Sequence, residues 1–188
     1  RDIRFYQLMP GILASPFIIT GVLFHQVHLV ETKSWSLAMF ASCYPLYALS
    51  ATGVTLLAGW IVDRLSAVYL LRFYLLPLGL GLVLIAITDK TYAAPAFMIL
   101  MGASAGAATI TMSALWVELY GTDYIGSIRS MCFAMLVVST SIAPWLMGLL
   151  IDIGITLETQ FAILAIYILV CSIIFTIITP NLLIPRTP

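Results

Sequence analysis

Charged residues are scarce in this chain. They make up 9% of its 188 residues, and eight basic and eight acidic side chains cancel to zero net charge. A soluble domain carries about 25% charged residues, because its surface must stay hydrated, so the shortage excludes an ordinary soluble protein. The absence of a basic run also argues against a nucleic-acid partner. Apolar side chains dominate instead: they form 62% of the sequence and raise its mean hydropathy to +1.11.

The usual signatures of enzymes and metal sites are missing as well. Cys43, Cys132 and Cys171 lie in apolar stretches without the spacing of a metal site or a disulfide framework. The sequence has no phosphate-binding glycine loop and no H-E-x-x-H pair, and its serines lack a recognisable acid–His pairing. His25 and His28 share a helix face, but no third ligand converges on them. We therefore expect no catalytic residue, no metal site and no cofactor.

Long apolar runs divide the chain into six segments, each long enough to cross a membrane. A bilayer core about 30 Å thick needs about 20 helical residues. Lipid favours a helix for such a segment, because the backbone polar groups must pair internally. The sequence therefore predicts an all-α integral membrane protein whose six transmembrane helices lie at residues 6–30, 36–62, 67–87, 92–118, 127–151 and 157–179.

The Lys and Arg residues predict how these helices are oriented. Cytoplasmic loops are enriched in Lys and Arg, and only Lys33 and Lys90 fall on the opposite side from the other basic residues. We therefore expect both termini to be cytoplasmic, in a protein of a bacterial cytoplasmic (inner) membrane. The residues assigned to the cytoplasmic side are Arg1, Arg4, Arg64, Arg72, Arg129 and Arg186.

Two of the predicted helices end in the same pattern. Gly59 and Asp63 end the second span as G-x-x-x-D, and Gly148 and Asp152 end the fifth. With six crossings, these two ends lie on opposite sides of the membrane. An inverted repeat of three plus three helices produces such an arrangement. The sequence thus predicts a single six-helix domain, 1–188, with one three-helix repeat at 1–90 and the other at 91–188.

Three segments are similar to parts of a known family. Segment 57–66, LAGWIVDRLS, resembles the loop motif of the major facilitator superfamily, approximately G-x-x-x-D-R-x-G-R-R, although Ser66 stands where the second glycine is usual and the basic pair is absent. Segment 118–129, ELYGTDYIGSIR, resembles the loop between helices ten and eleven, and 144–152, PWLMGLLID, the end of helix eleven. The resemblance covers the whole chain. It implies the C-terminal half of such a transporter, helices seven to twelve.

The resemblance further implies a conformational latch at the inner membrane face, where contacts between charged groups stabilise one of two alternating states. Asp63 would pair with Arg72 or Arg129, or accept hydrogen bonds from a helix N-terminus. The alternative is a set of solvated helix-end charges, each pair worth under about 1 kcal/mol. The candidate latch residues are Gly59, Asp63, Arg64, Glu118 and Arg129.

Polar and small side chains within the apolar spans predict a solute cavity and close helix packing. Helices one and four would face the cavity, and helices three and six would face lipid. Interhelical hydrogen bonding is the alternative role for the polar groups. The candidate cavity residues are Thr20, His25, Tyr44, Tyr47, Ser113 and Trp116, and the candidate packing residues are Gly102, Gly106, Pro144 and Gly148.

Together these features predict half of a secondary active or facilitative transporter that moves a small solute by alternating access and is inactive as an isolated half. Because the chain begins at Arg1 rather than Met, we expect a preceding N-terminal six-helix half as its partner, besides the lipid bilayer and a small solute. An isolated half would form homodimers through its exposed cavity face. Two alternatives stay open: a complete six-helix protein that acts as a homodimeric transporter, and a non-transporting membrane scaffold or membrane enzyme.

Overall fold

The computed structural model describes residues 3–182, and within that range its regular structure is entirely α-helical. Arg1 and Arg186, which the orientation argument used, lie outside the described residues. The helices are α1 (Ile3–Phe24), α2 (Gln26–Thr32), α3 (Leu37–Ser42), α4 (Tyr44–Arg64), α5 (Ala67–Leu71), α6 (Leu76–Ile87), α7 (Ala93–Tyr120), α8 (Ile125–Asp152) and α9 (Leu157–Leu182).

Six helical stretches of the described chain are long and apolar enough to cross a membrane. This confirms the prediction of six long apolar helices in an all-α chain. Their ends differ by at most three residues from the predicted ones, except that α1 stops at Phe24 and α2 continues the first span. The stretches are Ile3–Phe24, Leu37–Arg64, Ala67–Ile87, Ala93–Tyr120, Ile125–Asp152 and Leu157–Pro180.

Local chemistry explains why three of the spans are divided into shorter helices. Pro45 and Pro77 lie in the first turns of α4 and α6. Each lacks the N–H that would bond to the carbonyl four residues earlier, so the preceding helix is interrupted there. At His25 the interruption is slight, because its N–H still donates to the Gly21 carbonyl at 3.2 Å. The pieces α1–α2, α3–α4 and α5–α6 therefore form single spans.

The six spans differ in how deeply they lie within the bundle. In the most apolar stretches of α1 and α7, 50% of the residues are buried, against 6% in the α3–α4 span and 11% in α8. α7 packs against α4, α5 and α6, α1 packs against α8 and α9, and α6 packs against α9. Spans one and four thus form the centre, while spans two and five expose most of their surface.

The two ends of the bundle contain different loops. Because the six spans alternate in direction, residues 3 and 182 lie at the same end as the connections 65–66 and 121–124, and we call this the Glu118 end. The opposite end contains the connections 33–36, 88–92 and 153–156 and is called the Lys33 end. Between them the buried core joins all six spans through large apolar side chains such as Leu8, Phe40, Leu78, Phe97, Met147 and Phe161.

Candidate functional site

A buried lysine holds the loops of the Lys33 end together. The Lys33 side chain is only 1% exposed, and its Nζ lies 2.6 Å from Asp89 Oδ1 and 3.2 Å from Glu158 Oε1. Trp35 Nε1 donates to the Asp89 carbonyl at 2.6 Å, which fixes the same loop. A buried cation is tolerated only when it is paired. The ammonium therefore joins the segments that follow spans one and three to the start of span six.

At the Glu118 end, a carboxylate joins two helices without an ion pair. Glu118 lies near the end of α7, and its Oε1 accepts the backbone N–H of Ala67, the first residue of α5, at 2.9 Å. Its Oε2 accepts from Ser66 Oγ at 2.5 Å. Ser66 Oγ in turn accepts from the N–H of Val68 and caps α5. A carboxylate at a helix N-terminus is favourable because the free N–H groups and the helix dipole both favour negative charge.

Ser66 also has an unusual backbone conformation. Its φ is 144° and its ψ is 149°, a region that is essentially restricted to glycine and costs other residues about 1–3 kcal/mol. Ser66 is the position at which the resembling loop motif has its second glycine. The turn after α4 therefore has a backbone conformation that glycine adopts without strain, although the residue at this position is serine.

The other motif residues do not form the charge pairs suggested for the latch. Asp63 and Arg64 are exposed at the end of α4, and the Arg64 guanidinium lies over the Trp60 ring, 4.6 Å from its centroid. Arg72 lies over the Tyr69 ring. Between residues 3 and 182 the ion pairs are those of Lys33, so the structure does not bring Asp63 together with Arg72 or Arg129. Gly59 has open space around it.

Gly102 and Gly106 lie at the crossing of α4 and α7. A Cβ on Gly102 would collide with the Tyr47 carbonyl oxygen, and a Cβ on Gly106 with the Ala51 carbonyl oxygen. Thr55 Oγ1 bonds to the carbonyl oxygens of Ala51 at 2.8 Å and Gly106 at 3.3 Å. The absence of side chains at the two glycines thus lets the two backbones approach, as in other membrane helix pairs.

The crossing of α1 and α8 uses similar residues. Gly21 faces the Met147 side chain, and a Cβ on Gly148 would lie 3.4 Å from His25 Nε2. His25 Nδ1 is 3.0 Å from the Gly21 carbonyl oxygen. Pro144 lies within α8 without ending the helix, although its ring removes one backbone hydrogen bond. His25 therefore lies at a helix contact near the Lys33 end.

Within the part of the chain that the structure describes, the six candidate cavity residues lie in different places. Tyr44 donates to Gln26 Oε1 at 2.6 Å near the Lys33 end. Tyr47 borders a recess of about 300 Å³ between α4 and α7, together with the threonines at 52, 55 and 109. Thr20 is half-buried on α1. Ser113 and Trp116 border a different recess, so the polar groups fall into separate clusters.

The recess at Ser113 and Trp116 also contains Arg129. It has a volume of about 250 Å³ and lies between α1, α7 and α8. Arg129 Nη2 donates to the Ser113 backbone carbonyl at 2.8 Å. The buried Trp116 ring contacts the rings of Phe5 and Tyr120, with centroid distances of 5.3 and 6.1 Å. The sequence suggested two of these residues for a cavity and Arg129 for the latch, but not that they share a site.

Sequence reasoning missed the Lys33 cluster and the threonine-lined recess. The signal for the cluster was present, since Lys33, Asp89 and Glu158 all lie in or beside breaks that six crossings place at one end. The signal for the recess was the three-residue spacing of Thr52 and Thr55, which places both on one helix face.

The described residues contain no group of three or more His, Cys, Asp or Glu side chains arranged to hold a metal ion. A scan of the sequence against protein-family models finds no match. A search of curated proteins likewise finds no similar sequence. The sequence and the fold together therefore show a bundle of six long apolar helices suited to an integral membrane protein.

Proposed function

We propose that this chain is one six-helix half of a transporter that moves a small solute across a membrane by alternating access. In this proposal the half is an inverted repeat in which spans one, two and three correspond to spans four, five and six. We place it in a cytoplasmic membrane with the Glu118 end inside, and the distribution of the described basic residues supports this orientation. Arg4, Arg64, Arg72 and Arg129 lie at or near the Glu118 end, against Lys33 and Lys90 at the other.

The observation that carries the proposal is the symmetry of helix contacts. Exchanging the two repeats converts the contact of α4 with α7 into that of α8 with α1, and both pairs pack extensively. The same exchange converts the contact of α6 with α7 into that of α9 with α1, and both of these contacts are present. It converts the contact of α6 with α9 into itself, and that contact is present too. An inverted repeat accounts for this set of contacts, and within it the contact of α9 with α1 is much less extensive than that of α6 with α7.

The polar ties at the two ends support the same correspondence. Lys33 follows span one and contacts Glu158 at the start of span six. Glu118 ends span four and contacts Ser66 and Ala67 at the start of span three. When the two repeats are exchanged, the position of the Lys33–Glu158 contact becomes that of the contacts of Glu118 with Ser66 and Ala67. The two sets of contacts therefore correspond, at opposite ends of the bundle.

The exposed surfaces of spans two and five support a missing partner. Leu56 and Trp60 on α4, and Phe133, Val138 and Trp145 on α8, are each more than half exposed. Lipid can cover such surfaces, but alternating access requires a second bundle to rock against the first around a midplane site. We propose that an N-terminal six-helix half fills this role.

An immunoblot of source membranes, with an antibody against residues 181–188, tests the architecture. We expect a band near twice the 20.6 kDa mass of this chain. A band at 20.6 kDa would overturn the half-transporter proposal and favour the homodimeric six-helix protein or the scaffold.

A transport assay tests the function itself. The protein expressed from its complete gene would be reconstituted into liposomes and screened for counterflow of labelled solutes. We expect Asp63→Asn to reduce the rate at least tenfold if Asp63 belongs to a latch, and Asp123→Asn, in the exposed loop at the same end, to leave it unchanged. Equal rates in both variants would remove the latch from the proposal.

A further inference from the structure

The recess between α1, α7 and α8 combines one cation with apolar and aromatic walls. Ile12 and Leu13 contribute from α1, Trp116 from α7, and Arg129 and Phe133 from α8. Its volume of about 250 Å³ suits part of a small molecule rather than a whole drug-sized ligand. Trp116 is buried and contacts the rings of Phe5 and Tyr120, so this wall is in place before any ligand arrives.

The charge of Arg129 is not neutralised within the described chain. It lies in the stretch Ile125–Asp152, which is suited to cross a membrane, and its observed hydrogen bond goes to the Ser113 carbonyl. A guanidinium has five N–H donors. Glu118, at the same end of the bundle, has both of its oxygens engaged by Ser66 and Ala67. Arg129 is exposed near the start of α8, at the Glu118 end, so its other N–H donors are accessible to a ligand.

We propose that this recess binds the anionic group of an amphipathic small molecule, with Arg129 on the carboxylate or phosphate and the Trp116 wall against its apolar body. The inference rests on the proposed function in so far as it names the class of solute. A guanidinium recognises carboxylate and phosphate through paired hydrogen bonds. The headgroup of an anionic lipid has the same chemistry, so the experiment must separate the two sources.

The test uses the protein expressed from its complete gene, held in nanodiscs of phosphatidylcholine and titrated calorimetrically with 4-phenylbutyrate or its uncharged amide. We expect the acid to bind at least tenfold more tightly than the amide. Arg129→Gln should abolish this preference, and Arg129→Lys should retain part of it. Arg64→Gln is the matched control, because Arg64 stacks on Trp60 at the same end and does not line the recess.

A second arm uses nanodiscs that contain phosphatidylglycerol. If a lipid headgroup occupies the site, phosphatidylglycerol will be retained by the native protein and lost from Arg129→Gln, while 4-phenylbutyrate will not bind. That result supports the anion site and assigns it to lipid. Equal binding of acid and amide, without Arg129-dependent lipid retention, would overturn the proposal, as would the same loss in Arg64→Gln. Because this experiment measures binding and not transport, a negative binding result does not overturn the transport proposal. A negative transport assay likewise does not change what the binding result says about the recess.

Discussion

At the Lys33 end of the bundle, a buried cation is neutralised by two carboxylates. At the Glu118 end, a carboxylate accepts hydrogen bonds from a hydroxyl group and a backbone N–H. Each tie links the end of one span to the start of another, and in the proposed repeat the two occupy corresponding positions. The same structural task is therefore performed by charge neutralisation at one end and by helix capping at the other.

This difference determines what each end tolerates. A buried charge without a counter-ion is costly, so the Lys33 end should respond strongly to loss of charge. Glu118 is exposed and the groups that donate to it are neutral. The stability of the Glu118 end should therefore depend on its hydrogen bonds and on the backbone strain at Ser66 more than on the charge of Glu118. Four sets of variants separate these two kinds of dependence.

Neutralising both partners of Lys33 should have the largest effect. The variant Asp89→Asn with Glu158→Gln leaves a buried ammonium without a counter-ion, and we expect a loss of about 3–5 kcal/mol in the free energy of unfolding. The measurement is reversible unfolding in mixed detergent micelles, followed by circular dichroism.

Adding Lys33→Met to that double variant should restore part of the stability, because the unpaired charge is then gone. Asp152→Asn, at an exposed position of the same end, is the control and should change little. If the triple variant were no more stable than the double one, the ionic account of this end would be wrong.

A change in the middle of the bundle should loosen both ends together. Gly106→Ala places a methyl group against the Ala51 carbonyl oxygen, and we expect overpacking to cost about 1–3 kcal/mol. Hydrogen exchange measured by mass spectrometry should show faster exchange at residues 65–68 and at 88–92 alike.

The matched control is Gly53→Ala on α4, where an added Cβ meets open space. We expect this variant to be as stable as the native protein or more stable by up to about 1 kcal/mol, since alanine restricts the unfolded chain. Destabilisation of both variants to the same extent would show that the α4–α7 contact is looser than the structure indicates.

At the Glu118 end, Ser66 separates hydrogen bonding from backbone strain. Ser66→Ala removes the cap and the bond to Glu118 but keeps the unfavourable φ, so we expect a loss of about 1–2 kcal/mol. Ser66→Gly removes the same hydrogen bonds and also relieves the strain, and should therefore be the more stable of the two by about 1 kcal/mol. Chemical unfolding of both variants in parallel measures the difference, and a less stable glycine variant would contradict the strain argument.

Glu118→Gln should have the smallest effect. The amide oxygen still accepts one hydrogen bond, so we expect a loss of about 1 kcal/mol in unfolding free energy, with Glu118→Ala losing more. The same unfolding assay compares this neutral replacement with the carboxylate-to-amide change at Asp89 and Glu158. If Glu118→Gln were as damaging as that double variant, the two ends would depend on charge equally, and the contrast between them would disappear.

Some features of the site were accessible from the sequence because they follow from local patterns. The glycines at 102 and 106 are spaced for close helix contact, and the second glycine of the loop motif falls on Ser66, whose backbone has a glycine-like φ. The grouping of Arg129 with Trp116 was not accessible, because it depends on how α8 is rotated against α7. The pairing of Lys33 with Glu158 was hidden for a similar reason: 125 positions separate the two residues along the chain.

The sequence by itself determined the all-helical character, the six apolar spans and nearly all of their ends. These properties follow from the length of apolar runs, from the charges between them and from the requirement that backbone groups pair internally in lipid. Only the tertiary structure decided which spans lie at the centre, which surfaces are exposed and which polar groups meet. Those outcomes depend on packing between segments that are distant along the chain. Small residues permit close approach of helices and buried charges require partners, but no local pattern specifies which helices or which charges meet.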